Sequence, residues 1–229
     1  MRILVTRPRE DGEQIAAKLT GMGHTALLTP LLEPRFHDGP EPALADVQAI
    51  LATSANGIRA LARRTARRDI PIFAVGPQTT EEARAARFAE VRNADGDSRA
   101  LAEAVARWTT PEKGALLHVC GEDAPGTLVE NLTRRGFTAR RAVLYGIEAA
   151  TALPADARDA LEKSAVDAVM FFSPVSAKIF LEVCVGIPSA NLTALCISPA
   201  TADVLPPGAF AKVRIAAAPN QVALLALVE

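Results

Sequence analysis

One unit occurs twice in this chain, and that repetition limits the possible folds more than any other feature. Val166–Ser176 is a short apolar run that stops at Ser173 and Pro174. The same unit stands earlier as Val47–Gly57, with Ser54 falling onto Ser173 at an offset of 119 residues. Each run has the length of a strand buried on both faces. Each serine is a good helix N-cap, and Pro174 suits the first helical position. The unit therefore reads as a buried strand feeding a capped helix. Such a junction leaves free backbone N–H groups at the strand's C-terminal end, where open α/β sheets bind ligands. The offset also lays Arg59 onto Lys178, a cation just inside each helix. Helical side chains lean towards the N-terminus, so both cations are expected to reach back over that end. A solvated cation beside an ordinary capped helix is the blander reading of either copy. The pair shifts the balance towards an anion site.

The repetition extends further. Phe88–Arg92 returns as Phe210–Arg214, and Gly76-Pro77-Gln78-Thr79 returns as Ser198-Pro199-Ala200-Thr201. Glu10-Asp11 and Gly23 match Glu122-Asp123 and Gly136. The order is A, B, A′, B′, which an internal duplication explains. Each A is strand, turn, helix, strand. Strands alternate with helices throughout, so the class is α/β with parallel sheets, and the duplication makes two similar domains. Strands are expected at Arg2–Thr6, Thr25–Leu32, Val47–Thr53, Ile70–Val75, Phe88–Arg92, Leu116–Cys120, Phe137–Ile147, Val166–Phe172, Leu192–Ile197 and Phe210–Ile215. Ser98 is expected to cap a helix through Trp108, and Glu33–Pro42, with its prolines, to be a linker. Sequence alone permits A to pair with B, or A with B′.

A net charge of -1 over 229 residues argues against non-specific nucleic-acid binding. An anionic ligand would need local cations and helix ends. Cys120, Cys184 and Cys196 form no CxxC pair and suit buried thiols in a reducing compartment. The start lacks the apolar core of a signal peptide, and no apolar run is long enough to span a membrane. These points give the expectation of a cytoplasmic chain with no membrane or nucleic-acid partner.

Several motifs fail on context. Gly21-Met22-Gly23-His24-Thr25-Ala26 fits a loose dinucleotide fingerprint but follows a helix and precedes a strand, the reverse of what that site needs. His24, His37 and His118 have no neighbours at metal-ligand spacing. His118, inside an apolar strand, reads as a core or interface residue. Arg63-Arg64 and Arg67-Arg68 read as a solvated helix face. No metal, no cofactor and no covalent nucleophile are expected.

Thr53-Ser54-Ala55-Asn56-Gly57, Phe73-Ala74-Val75-Gly76-Pro77 with Thr79, Phe171-Phe172-Ser173-Pro174, and Pro219-Asn220 before a final helix together resemble the uroporphyrinogen-III synthase family. The likeness runs along nearly the whole chain in order. Ser198 departs from it, since the family often has glycine there. The resemblance implies a swapped connection, with the two similar parallel-sheet domains joined by a two-strand crossover. Residues 1–34 with 147–229 would form one domain and 35–146 the other, joined by strands near Leu32–Phe36 and Leu144–Glu148. It also implies a monomer that cyclises hydroxymethylbilane to uroporphyrinogen III, losing water and inverting the terminal pyrrole ring. The implied site takes Tyr145 as a general acid, with hinge packing as its alternative role. Arg7, Thr53, Ser54, Arg59, Thr79, Ser173, Lys178 and Thr201 would bind substrate, with Ser54, Thr79, Ser173 and Thr201 marking capped helix starts facing an interdomain cleft. The competing class is a non-enzymatic two-lobed module binding a small polyanion; the fold argument alone supports it equally.

Overall fold

The computed structural model describes residues 1–228. The chain divides into two compact units, Met1–Glu33 with Glu148–Glu229, and Pro34–Ile147. The first unit holds β1 (Arg2–Val5), α1 (Arg9–Gly21) and β2 (Thr25–Leu28). The chain leaves it within β3 (Leu32–Phe36). The second unit continues with β4 (Val47–Ala52), α2 (Ala55–Arg64), β5 (Ile72–Ala74), α3 (Pro77–Ala85), β6 (Val91–Asn93), α4 (Ser98–Trp108), β7 (Ala115–Gly121) and α5 (Thr127–Arg134). Return is within β8 (Ala139–Ala149). The first unit is completed by α6 (Ala155–Glu162), β9 (Ala168–Phe171), α7 (Pro174–Val183), β10 (Thr193–Cys196), α8 (Pro199–Ala202), β11 (Lys212–Ile215) and α9 (Gln221–Leu225).

Two sheets result, with strand orders β11-β10-β9-β1-β2 and β3-β8-β7-β4-β5-β6. All neighbours are parallel except β3 and β8, where the His37 N–H donates to the Leu144 carbonyl and the Ala150 N–H to the Leu31 carbonyl in antiparallel register. Leaving aside β3, the second sheet read backwards repeats the first: β6-β5-β4-β7-β8 against β11-β10-β9-β1-β2. Both are doubly wound, the first in chain order 2-1-3-4-5 and the second, because its A′ part follows its B part, in the permuted order 3-2-1-4-5. The unit that closes a sheet comes from the far repeat. β1 pairs with β9 through Ile3↔Ala168 to Val5↔Met170, and β4 pairs with β7 through Ile50↔Leu117 to Ala52↔Val119. A therefore pairs with B′, and B with A′.

Each sheet is buried on both faces, so its central strands read as apolar runs rather than alternating ones. In the first unit Ile3, Val5 and Met170 pack with Ile15 and Leu19 of α1 and Leu224 of α9. On the other face Val169 and Phe171 pack with Leu161 of α6 and Phe180 of α7. The second unit repeats the arrangement: Leu51 and Leu116 meet α4 and α5, while Ile50 and Val119 meet α2 and α3.

Four expectations are corrected. Glu33–Pro42 is not all linker, because Leu32–Phe36 adds β3 beside β8. The strands expected from Phe88 and Phe210 start later, at Val91 and Lys212. Both phenylalanines are buried in the preceding turns and seal the core there. Asp97 caps α4 in place of Ser98, accepting from the N–H groups of Arg99 and Ala100, both at 2.9 Å. The arginines near the end of α2 are only partly a solvated face: Arg63 and Arg67 are exposed, but Arg64 and Arg68 are half-buried. Arg63 stacks over Phe36 at 3.8 Å, and Arg64 donates to the carbonyls of His37 and Pro40. Arg68 donates to the carbonyls of Thr65 and Ala86 and lies 4.9 Å over Phe88. Loop carbonyls need donors, and the guanidinium fork supplies several at once.

Candidate functional site

In a doubly wound sheet, the crevice for a ligand opens at the C-terminal strand ends where the strand order reverses. Here the reversal lies between β1 and β9 in the first unit and between β7 and β4 in the second. In each unit one of those two strands leads into a serine-capped helix. Ser54, extended at φ -153, caps α2 by accepting from the Asn56 N–H at 3.2 Å. Ser173 caps α7 by accepting from the Ser176 N–H at 3.1 Å, with Pro174 at the first helical position.

Tyr145 reaches the second unit's switch point by a local irregularity. Along β7 and β8 the register runs Cys120↔Val143 and then slips, so that Gly121 faces Tyr145. A Cβ on Gly121 would lie 2.9 Å from the Tyr145 ring, so only glycine lets the phenol lie across the end of β7. Tyr145 is buried, and its ring also packs near Phe36 at 6.4 Å between centroids. Burial raises its pKa above the usual 10.0, partly offset by hydrogen bonds with the Ser54 side chain and the Gly121 backbone. A neutral phenol therefore stands beside the capped start of α2. Next to it, the Glu122 N–H donates to the Tyr145 carbonyl at 3.0 Å, and the Glu122 carboxylate pairs with His37 at 3.1 Å.

Thr53 lies one residue before the cap, with its hydroxyl 3.0 Å from Nε2 of His118. His118 is buried, and desolvation, with the Arg141 guanidinium nearby, lowers its pKa to about 4. The ring is neutral near pH 7.

The first unit is less polar at the matching place. Thr6 donates to the Met170 carbonyl at 2.6 Å, and Arg7 pairs with Asp11 and lies 5.4 Å over the ring of Phe172. Lys178 is exposed on α7.

Three candidate residues sit differently from expectation. Arg59 is turned to Glu82 of α3 at 2.8 Å, and it donates to Asn56 at 3.0 Å, so its charge is already shared. Thr79 and Thr201 are not caps; Gly76 and Ser198 hold those positions. Both threonines are the third residue of their helix, a position that turns the side chain inward, and both are buried. The Thr201 hydroxyl is 3.1 Å from that of Ser198. Sequence reading missed the Thr53–His118 pair. An isolated histidine in an apolar strand was the only available signal.

Among the described residues no cluster of three or more His, Cys, Asp or Glu could hold a metal ion, and no helix is long and apolar enough to cross a membrane. Burial pushes the Cys184 thiol up to about 12 and Cys196 up to about 11, so neither is a ready thiolate.

The family model described as uroporphyrinogen-III synthase HemD matches residues 13–226. The chain belongs to the uroporphyrinogen-III synthase family. The crystal structure of uroporphyrinogen-III synthetase from Helicobacter pylori is 21% identical, with a TM-score of 0.64 over 100% of this chain and 98% of that one. A mutant uroporphyrinogen III synthase from Thermus thermophilus is 20% identical over 100% of this chain and 96% of that one, with a TM-score of 0.48. No curated protein sequence matches. The Helicobacter likeness shows the shared two-sheet α/β fold; membership of the uroporphyrinogen-III synthase family rests on the family model.

The serine caps at the twin helix starts allow a direct check. Ser54→Ala and Ser173→Ala should each lower stability by about 0.5–2 kcal/mol, the usual worth of an N-cap. Urea denaturation measures this. A loss below a few tenths in both variants would show that the caps do not hold these helices.

Proposed function

We propose that the chain cyclises hydroxymethylbilane to uroporphyrinogen III, with loss of water and inversion of the terminal pyrrole ring, making it a hydro-lyase of tetrapyrrole synthesis. The family match over residues 13–226 carries the reading. The geometry supports it in three ways.

The substrate bears an acetate and a propionate on every ring and needs many anion sites. Helix N-termini at Ser54 and Ser173 offer backbone N–H groups, each worth about 0.3–1 kcal/mol to a carboxylate. The Thr53 hydroxyl and Lys178 add to these. Arg7 and Arg59 contribute as members of their pairs with Asp11 and Glu82. Thr79 and Thr201 act through the backbone of their helix starts, since their hydroxyls face inward.

Tyr145 is the general acid. Its phenol stays protonated at neutral pH and gives its proton to the departing hydroxyl, which leaves as water. The remaining cation is stabilised by the pyrrole nitrogen. The substituted α-carbon of the terminal ring attacks it, giving a spiro intermediate. The bond from that carbon to its old methylene bridge then breaks, leaving a second pyrrole-stabilised cation. The ring's free α-carbon captures that cation while its proton returns to the phenolate. A raised pKa makes that phenolate a strong base for the last step.

The remaining task is positioning, since the terminal ring's substituted carbon must meet the cation before its free carbon does. On this reading residues 1–34 with 147–229 form one domain, and 35–146 the other. The chain works without cofactor or metal, as a cytoplasmic monomer, in keeping with three buried free cysteines.

Uncatalysed closure of hydroxymethylbilane gives the symmetrical isomer I. The purified chain, with no additive, should give mainly isomer III, read as the I-to-III ratio after oxidation to porphyrins. A ratio matching the protein-free control, with folded protein, would defeat the synthase reading and favour a polyanion-binding module.

A further inference from the structure

We infer that His118 is a positioning residue: it donates from Nε2 to the Thr53 hydroxyl oxygen and so leaves the Thr53 proton free for a substrate carboxylate. The inference rests on the synthase reading and deepens it.

Three observations carry it. First, His118 is 2% exposed, and its Nε2 lies 3.0 Å from Thr53 Oγ1. Second, its Nδ1 is buried with no hydrogen-bond partner. A neutral imidazole carries one N–H. If that proton sat on Nδ1, a buried donor would be orphaned; if it sits on Nε2, only a lone pair is. Orphaned buried N–H groups are the rarer of the two. The proton therefore belongs on Nε2, pointing at Thr53. The Thr53 oxygen accepts it, and the hydroxyl proton must turn elsewhere. Thr53 is only half-buried, so that proton can point outward beside the Ser54 helix start. The low pKa, about 4, keeps the ring neutral and the arrangement fixed across the working range.

Third, the duplicated unit shows that the fold does not need this pair. Ile3↔Ala168 and Leu116↔Ala49 are the matching rungs of the two sheets. Counting on from them places Val5 at the position of His118, and Phe172 at that of Thr53. Val5 is wholly buried there, in an apolar cluster that Phe172 packs against. Hydrocarbon fills the place in the first unit. The second unit instead accepts a buried polar ring with an unused nitrogen. Its one partner is the hydroxyl at the mouth of the switch point. In the first unit the nearby Thr6 hydroxyl is spent on the Met170 carbonyl. Thr53 is thus the outward donor, and His118 aims it.

The test combines spectroscopy and kinetics on the full chain. ¹⁵N shifts of the His118 ring at neutral pH should show the Nε2–H tautomer; the Nδ1–H tautomer would overturn the inference. His118→Leu should raise KM for hydroxymethylbilane about tenfold, the scale of one charge-assisted hydrogen bond, with kcat within about twofold. Its melting temperature should not fall, because leucine matches what the first unit places there. His118→Gln, which can donate to Thr53, should recover most of the affinity. In a Thr53→Val background, His118→Leu should raise KM no further. An unchanged KM in His118→Leu, or an equal rise with and without Thr53, overturns the proposal. Should the unaltered chain make no isomer III, the synthase reading fails by itself, and the tautomer measurement still decides the role of His118.

Discussion

Tyr145→Phe is expected to lower turnover about a hundredfold, at the lower end of what a positioned general acid contributes. The lower end is appropriate because the pyrrole nitrogen already assists departure of the hydroxyl. Stability should fall by no more than about 2 kcal/mol, the net worth of two neutral hydrogen bonds, here those with Ser54 and Gly121. The ring itself stays, so packing against Gly121 and Phe36 is unchanged. The pH profile gives an independent check. The Tyr145 pKa is raised above 10.0, so the phenol remains an acid throughout the neutral and mildly alkaline range. Ionisation of Tyr145 should therefore cause no loss of turnover between about pH 7 and 9, given the free phenol's pKa near 10. The same shift has a sign for stability. Above the unfolded pKa the unfolded chain ionises first, so the contribution of this phenol is full below pH 10 and is lost as pH rises beyond it. Near-normal turnover in the phenylalanine variant would remove the acid role and leave Tyr145 as packing at the crossover strand.

The largest stability effect is expected at Gly57. It lies in the first turn of α2, where the helix crosses β7. A Cβ there would stand 2.7 Å from the Val119 carbonyl oxygen and 3.5 Å from a Val119 methyl. The obstacle is backbone in a central strand, so it cannot swing aside. Alanine is favoured over glycine within a helix by about 1 kcal/mol. Overpacking typically costs about 1–3 kcal/mol and occasionally more, and here nothing can relax without moving α2 off the sheet. Gly57→Ala should therefore lose about 2 kcal/mol net, the overpacking outweighing the propensity. It should also raise KM, because α2 begins at Ser54 and displacing it moves the helix start proposed to bind a substrate carboxylate. Gly21 is the control. It closes α1 with nothing within 4 Å of a new Cβ. Gly21→Ala should be neutral or gain up to about 1 kcal/mol. Equal denaturation midpoints for the Gly57 and Gly21 variants would show that α2 does not press on β7 as described.

Some of this was written locally in the chain. The strand-to-helix junctions at Ser54 and Ser173 were legible because a cap, a proline and a buried apolar run are all decided within a few residues. The helix starts at Gly76 and Ser198 were legible as starts. Which residue caps them was read wrongly, because the third helical residue and the cap look alike until the turn is built. The phenylalanines before β6 and β11 misled in the same way: an apolar residue that seals a turn carries the same signal as one that begins a strand.

The amino-acid sequence by itself determined the alternation of strands and helices, the duplication, and the serine-capped strand-to-helix junctions. It determined those because each depends on neighbours a few residues apart. Tertiary structure alone decided which repeat completes which sheet. The two copies share one pattern, so A pairs with B or B′ equally well on local grounds, and only the observed rungs Ile3↔Ala168 and Ala52↔Val119 distinguish them. Tertiary structure also decided the chemistry of the second unit. A one-residue slip between β7 and β8 lays Tyr145 over Gly121 beside Ser54. Strand pairing across 65 residues brings His118 to Thr53. Arg59, besides holding Asn56 at the start of its own helix, is drawn to Glu82 on the next one. Each of these is a contact between distant parts of the chain, fixed by sheet register and helix packing, for which no local spacing rule exists.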